Sequence, residues 1–158
     1  MKHRPRWRKR MKIYAGSDHG GFELKKTLIK RLQELGHQVE DLGTHSAVSC
    51  DYPDYAHAVA ASVMADPGSF GLLTCGSGIG ISIAANRHHG IRAALCHCSL
   101  EAELSRRHND ANVLVLGGRL VGEALAIDIL EKFISADFEG GRHLKRIGKI
   151  EITCEGQQ

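Results

Sequence analysis

The sequence predicts a single α/β domain built on a five-stranded, mainly parallel sheet, and three observations point there. Short apolar runs of strand length alternate five times with helix-length segments, the pattern of a parallel sheet covered on both faces. A length of 158 residues, with 42% hydrophobic and 25% charged residues, suits one domain around one core. Glycine-rich turns follow the first, third and fifth apolar runs, at the strand ends where an open sheet gathers its ligand site.

The elements follow in chain order. "KIYAGSD" (12–18) reads as the first strand, ending in a glycine turn. Residues 22–35 carry Phe22, Leu24, Leu28, Ile29, Leu32 and Leu35 near helical spacing with Lys and Arg between them, and Gly36 is a stop signal. "HQVEDLG" is the second strand. The polar stretch "THSAVSCDYPD" leads to an Ala-rich helix over 54–65, with Asp54 as its N-cap. "FGLLTCG" is the third strand, and "IGISIAANR" a short helix beginning inside the glycine loop. "IRAALCH" is the fourth strand, followed by a helix from Ser99 to Asn109 with Ser99 as cap. "NVLVLGG" and "VGEALAIDILEKFIS" supply the fifth strand and a long helix. "GGRHLKRIGKIEI" closes the chain as a helical arm with paired basic residues. The domain is expected over 11–152, with a basic leader at 1–10 and a tail at 153–158.

The net charge of +3 is misleading. The leader "MKHRPRWRKR" holds six Lys or Arg and no acid, so the rest carries 15 basic against 18 acidic residues, or −3. A nucleic-acid partner would rest on those ten residues alone, and none is expected. The leader has no amphipathic apolar face, which argues against targeting, and its deletion is expected to leave folding and activity intact. No run reaches the length of a membrane span. Five cysteines, an odd number, without an export signal read as reduced thiols of a cytoplasmic protein. "CHC" at 96–98 invites a metal, but in a strand Cys96 and Cys98 share one face while His97 points away, and no second pair lies at zinc-finger spacing. No metal and no cofactor are expected.

"LLTCGSGIG" (72–80) carries the most chemistry. From Gly76 or Gly78 the sixth position is Ile81 or Ile83, which breaks the dinucleotide fingerprint. No Lys-Ser or Lys-Thr follows, which excludes the P-loop, and the position of a cysteine phosphatase's arginine is Ile81. What remains is a strand ending in Cys75 and a small-residue turn opening a helix. Such a turn directs backbone N–H groups at an anion, whether a phosphate or a charged intermediate. The same setting favours the thiolate of a cysteine; spacing equally allows a buried, inert thiol. Asp18 and His19 in "SDHGG" suit sugar hydroxyls or proton transfer, or a helix cap beside a surface histidine. "RRHND" (106–110) ends a helix and is weak alone. Arg142 and Arg146 lie four apart on one helix face, a clamp for a dianion or a solvated basic face. Arg119 stands just beyond the fifth strand. The segments "GSDHGG", "CGSGIG" and the helix carrying "RRHND" are expected to converge.

Taken together, "GSDHGGFELK", "DYPDYA", "TCGSGIGISIAANR", "GIRAAL", "LSRRHNDANVL" and "FEGGRH" resemble the type B ribose-5-phosphate isomerases, in the wider family that includes galactose-6-phosphate isomerase subunits. The resemblance runs in order from about Met11 to about Ile150. It implies a Rossmann-like three-layer α/β/α fold with a C-terminal helical arm. It also implies a metal-independent aldose–ketose isomerase of the pentose phosphate pathway that interconverts ribose 5-phosphate and ribulose 5-phosphate through an enediolate. Cys75 matches the residue that moves the carbon-bound proton; a second branch of the family uses a later glutamate, where this chain has Ile79 and Ile81. His108 matches the ring-opening acid/base. Asp18, His19, Tyr52, Gly76, Ser77, Gly78, Ile79, Gly80 and Asn109 match substrate contacts. His19, Arg119, Arg142 and Arg146 match phosphate-side contacts, and Ser77 and Asp18 are candidates for handling protons at O1 and O2. The resemblance further implies a homodimer, or a tetramer, with sites shared between chains. The alternatives are an allose-6-phosphate or galactose-6-phosphate isomerase and a sugar-phosphate-binding regulator without turnover.

Overall fold

The computed structural model describes residues 9–152; the first eight residues of the leader and the tail at 153–158 lie outside them. Five strands, β1 (Lys12–Ser17), β2 (Gln38–Asp41), β3 (Phe70–Cys75), β4 (Ala93–Leu95) and β5 (Val113–Gly117), form one sheet in the order β2-β1-β3-β5-β4. Every pairing is parallel. Each strand is followed by a helix: α1 (Phe22–Glu34), α2 (Tyr52–Ala65), α3 (Ile79–Ala85), α4 (Ser99–Asn109) and α5 (Glu123–Ser135). A short α6 (Arg142–Ile147) ends the fold.

The alternation of side chains along a strand divides the core into two layers. Leu72 of β3 and Leu114 and Leu116 of β5 join Leu28, Leu32, Ile129 and Phe133 of α1 and α5 on one face. Leu73 and Cys75 of β3 and Val113 and Val115 of β5 join Val59, Ala60, Ile81 and Ala85 of α2 and α3 on the other. The central strands β3 and β5 are buried along their whole length, as strands covered on both faces must be. The edge strand β4 is protected by Asn86, whose side-chain amide accepts from and donates to the backbone of Ala93 at 2.8 and 2.9 Å.

The three-layer fold matches the expectation, with corrections at its joints. Helix α2 begins at Tyr52, capped by Asp51 rather than Asp54, because Pro53 fits the first helical turn. Helix α4 is capped by Cys98 rather than Ser99, and Glu101 accepts from the Cys98 backbone N–H. Strand β4 therefore stops at Leu95, and the "CHC" triplet lies outside it. Cys96 is buried while Cys98 is exposed, and burial pushes the Cys96 thiol up to about 12. Lys25, placed among the polar positions of the first helix, is fully buried. It donates to Asp41 Oδ1 at 2.5 Å and to the Thr44 carbonyl at 2.6 Å, pinning the connection after β2 to α1.

Candidate functional site

The candidate residues fall into two groups at opposite edges of the sheet. In a parallel sheet the helix after a strand runs back to the amino edge, and this direction decides where each group lies.

At the carboxyl edge, the loops after β1, β3 and β5 touch main chain to main chain. A Cβ on Gly20 would lie 3.0 Å from the Gly76 nitrogen, and one on Gly118 would lie 2.7 Å from the Gly20 carbonyl oxygen. Gly118 N–H donates to the Cys75 carbonyl at 2.8 Å and Arg119 N–H to that of Gly76 at 2.9 Å. The Arg119 guanidinium lies over Gly76, and the Tyr52 ring lies over Gly80. Asp18 is buried, and its Oδ1 accepts the N–H groups of Gly20 and Gly21 at 2.9 and 3.1 Å. It thus fixes the turn and stands in the loop cluster at once. His19 Nδ1 accepts the Cys50 N–H at 3.2 Å, which leaves its proton on Nε2 in the neutral ring.

Cys75 ends β3 almost fully buried. Its Sγ accepts the Gly78 N–H at 3.1 Å, a contact that depends on the left-handed φ of +78° at Gly78. The Ile79 N–H turns to Ser77 Oγ at 3.2 Å. In this resting loop two of the N–H groups expected to meet an anion are therefore held by Cys75 and Ser77.

The amino edge carries His108, Asn109, Arg142 and Arg146. Helix α4 leaves the carboxyl end of β4 and spans about 16 Å at 1.5 Å per residue. Its last turn lies beside Arg92, the residue preceding β4, whose Nε donates to the carbonyls of Asn109 and Asp110 at 2.9 and 3.0 Å. The helix ends within "RRHND" as expected, and Asp110 closes it in the left-handed conformation. The convergence expected for "RRHND" with the two glycine loops is thus corrected: in one chain it stands across the sheet from Cys75, because α4 runs antiparallel to the strands.

The His108 ring stacks on His143 of α6, with centroids 4.4 Å apart and planes 11° apart. Glu139 faces both, its Oε2 lying 3.8 Å from His108 Nε2 and 3.5 Å from His143 Nε2. Arg107 holds the other oxygen, Oε1, through Nε at 2.6 Å and Nη2 at 2.5 Å. That guanidinium keeps the Glu139 carboxyl below its ordinary range. Burial first, then the charges of His108 and Arg142, push the His143 imidazole down. Arg142 and Arg146 are exposed on α6. A cleft of about 650 Å³ opens nearby, between Asn86, Arg92, Asn109 and Ile150. His108, Glu139 and His143 are the group among the described residues whose ligand atoms, within 4.8 Å of one another, could hold a metal ion. Arg107 on Oε1 and the neighbouring Arg142 make the place electropositive, which disfavours a cation. Sequence reasoning passed over Glu139 and His143; their only signal was their place in "FEGGRH".

Fold and site define an α/β protein with a buried thiol, an Asp-His pair and an arginine gathered at the carboxyl edge of a parallel sheet. The chain belongs to the ribose/galactose isomerase family, whose sequence profile matches residues 13–150. It is 48% identical over 139 residues to Escherichia coli ribose-5-phosphate isomerase B, covering 88% of this chain and 93% of that one. The ribose 5-phosphate isomerase of Thermotoga maritima superposes with a TM-score of 0.88 at 52% identity, over 90% of this chain and 98% of that one. The Mycoplasma genitalium ribose-5-phosphate isomerase B, solved with bound ribulose-5-phosphate, superposes with a TM-score of 0.85 at 42% identity, over 89% and 93%.

Proposed function

We propose that the protein interconverts ribose 5-phosphate and ribulose 5-phosphate as a homodimer, each site joining the carboxyl edge of one subunit to the amino edge of the other. The observation that carries the shared site is the separation of Cys75 from His108 within one chain. The substrate follows from the named relatives, whose sequences match across nearly the whole domain.

The reaction begins on a closed ring. His108 moves the proton of the anomeric hydroxyl to the ring oxygen as the C1–O4 bond breaks, giving the open aldehyde. Cys75, as thiolate, removes the proton from C2. That carbon acid is weak, so the enediolate must be stabilised as it forms. Backbone N–H groups of residues 76–80 supply this, with the Gly78 N–H released from sulfur when the anion arrives. Ser77 and Asp18 handle protons at O1 and O2, and protonated Cys75 returns its proton to C1. Asn109 and Tyr52 line the sugar. His19 and Arg119 meet the phosphate from one subunit and Arg142 and Arg146 from the other, so remote binding energy positions the sugar. The proton transfer is read as metal-free, and chelation is expected to leave turnover unchanged. Free thiols at Cys50, Cys75, Cys96 and Cys98 fit a reducing compartment, the cytoplasm. The family match begins at residue 13, which supports a leader at 1–10 outside the working domain.

The test is direct. Purified protein mixed with ribose 5-phosphate should yield the ketose, and removal of residues 1–10 should not slow it. No turnover of ribose 5-phosphate, with turnover of allose 6-phosphate or galactose 6-phosphate, would move the assignment to a six-carbon substrate. Tight binding without turnover of any of them would make the protein a sugar-phosphate-binding regulator.

A further inference from the structure

We infer that Glu139 is a positioning residue for ring opening: anchored by Arg107, its carboxylate orients the stacked His108–His143 pair and so sets which edge of His108 meets the sugar. This rests on the isomerase reading above.

Glu139 lies in the connection between α5 and α6 and is fixed at three points. Its backbone N–H donates to the Arg107 carbonyl at 3.0 Å, beneath the last turn of α4. Its Oε1 takes two donors from the Arg107 guanidinium at 2.6 and 2.5 Å. Arg107 is itself braced by Glu103 at 2.9 Å, one turn back on α4. This leaves Oε2 aimed between the two imidazoles, 3.8 and 3.5 Å away.

His108 needs such a frame. It stands at a helix end with about a third of its side chain exposed, where a free imidazole samples several rotamers and both ring flips. Ring opening requires one nitrogen to take the proton from O1 and return one to O4, so ring plane and edge must both be set. His143, only 7% exposed, sets the plane by stacking. The Glu139 carboxylate sets the edge, because it attracts a ring N–H and repels a lone pair. Two imidazolium ions cannot share that stack cheaply, and burial pushes the His143 imidazole down. His108, the more exposed of the two rings, is the one open to the sugar.

Ribulose 5-phosphate provides a readout that a merely structural role would not separate. Its only hydroxyl able to close a five-membered ring carries the phosphate, so the ketose stays open. In D₂O, Cys75 exchanges its C1 hydrogen through the enediolate without any ring step. Conversion of ribose 5-phosphate needs both steps. Glu139→Gln keeps the shape and a hydrogen bond to Arg107 but removes the charge. It should lower turnover of ribose 5-phosphate by about tenfold or more, while C1 exchange stays within about twofold of wild type. Glu139→Asp, which keeps the charge at a shorter reach, should fall between. The retained exchange also reports that the variant is folded. Loss of both rates together would make Glu139 structural, and no change in either would leave it without a role; each overturns the inference. Wild-type protein that neither exchanges nor turns over would remove the isomerase reading and this inference with it.

Discussion

The two edges of the sheet are built from different materials. At the carboxyl edge, main chain packs on main chain: Gly20 against Gly76, Gly118 against Gly20, and Gly78 folded back so that its N–H meets Cys75 Sγ. At the amino edge, long side chains hold one another: Arg107 with Glu139 and Glu103, Arg92 with Asp110, His108 on His143. Backbone contacts cost little side-chain entropy and place a group within tenths of an ångström. Side-chain networks can adjust when a second surface arrives. In the proposed mechanism the carbon proton, the harder transfer, falls to the rigid edge and the ring oxygen proton to the adaptable one.

Removing the chemistry from the rigid edge should have the largest effect. Cys75→Ala is expected to cut ribose 5-phosphate turnover by at least about a thousandfold, with a melting temperature lowered by only a few degrees for the lost buried sulfur; turnover equal to wild type would remove the thiolate role. The packing of that edge comes next. A Cβ on Gly21 would sit 2.5 Å from the Thr74 carbonyl oxygen, and backbone there cannot give way as a side-chain tip can. Gly21→Ala should cost about 2–3 kcal/mol of stability, read by denaturant unfolding, and should lower activity with it. A cost below about 0.5 kcal/mol would show that the loops tolerate slack. Pairing the edges across subunits is tested by mixing. Cys75→Ala and His108→Ala homodimers should each be inactive. After exchange of subunits, half the dimers carry one intact site, so about a quarter of wild-type activity should return. No recovery after confirmed exchange would return both residues to one chain.

The strands and helices were legible because apolar spacing switches between two periods five times along the chain. The loop at Cys75 was legible because its glycines follow a strand directly. The separation of His108 from Cys75 was missed, although the parallel sheet implies it: a helix between parallel strands runs back to the amino edge, so the end of α4 lies away from the loop at Cys75. What escaped the sequence were residues chosen by distant partners. Lys25 reads as a polar helix position until Asp41 and the Thr44 carbonyl are brought to it. Glu139 sits in a connection without periodicity, and only the folding of α5 back along α4 sets it against Arg107 and two histidines.

The smallest effect separates the edges by acid, because among the described residues the histidines held below their ordinary value, His37 and His143, both lie at the amino edge. Burial pushes His37 down from 6.5; its Nδ1 accepts the Met11 N–H at 3.3 Å, just before β1. His143 is shifted the same way. For both, the unfolded chain binds the proton more readily than the native fold, so stability rises with pH there. The contribution is complete above about 6.5 and declines as pH falls below it. Glu139 is lowered for the opposite charge reason; its stabilising share is present above the ordinary carboxyl value of 4.5 and is lost only as pH falls through its lower native value. Melting temperatures across pH should therefore show two declines, the first from the histidines and the second from the carboxylate. His143→Phe keeps a flat ring on His108 and should shallow the first decline while leaving the second in place. Glu139→Gln should remove its share of the second decline and, because it takes away a charge that favours the His143 imidazolium, steepen the first. A first decline of unchanged slope in His143→Phe would mean that the amino edge tolerates a second imidazolium, and that the stack on His108 is looser than its 4.4 Å spacing indicates.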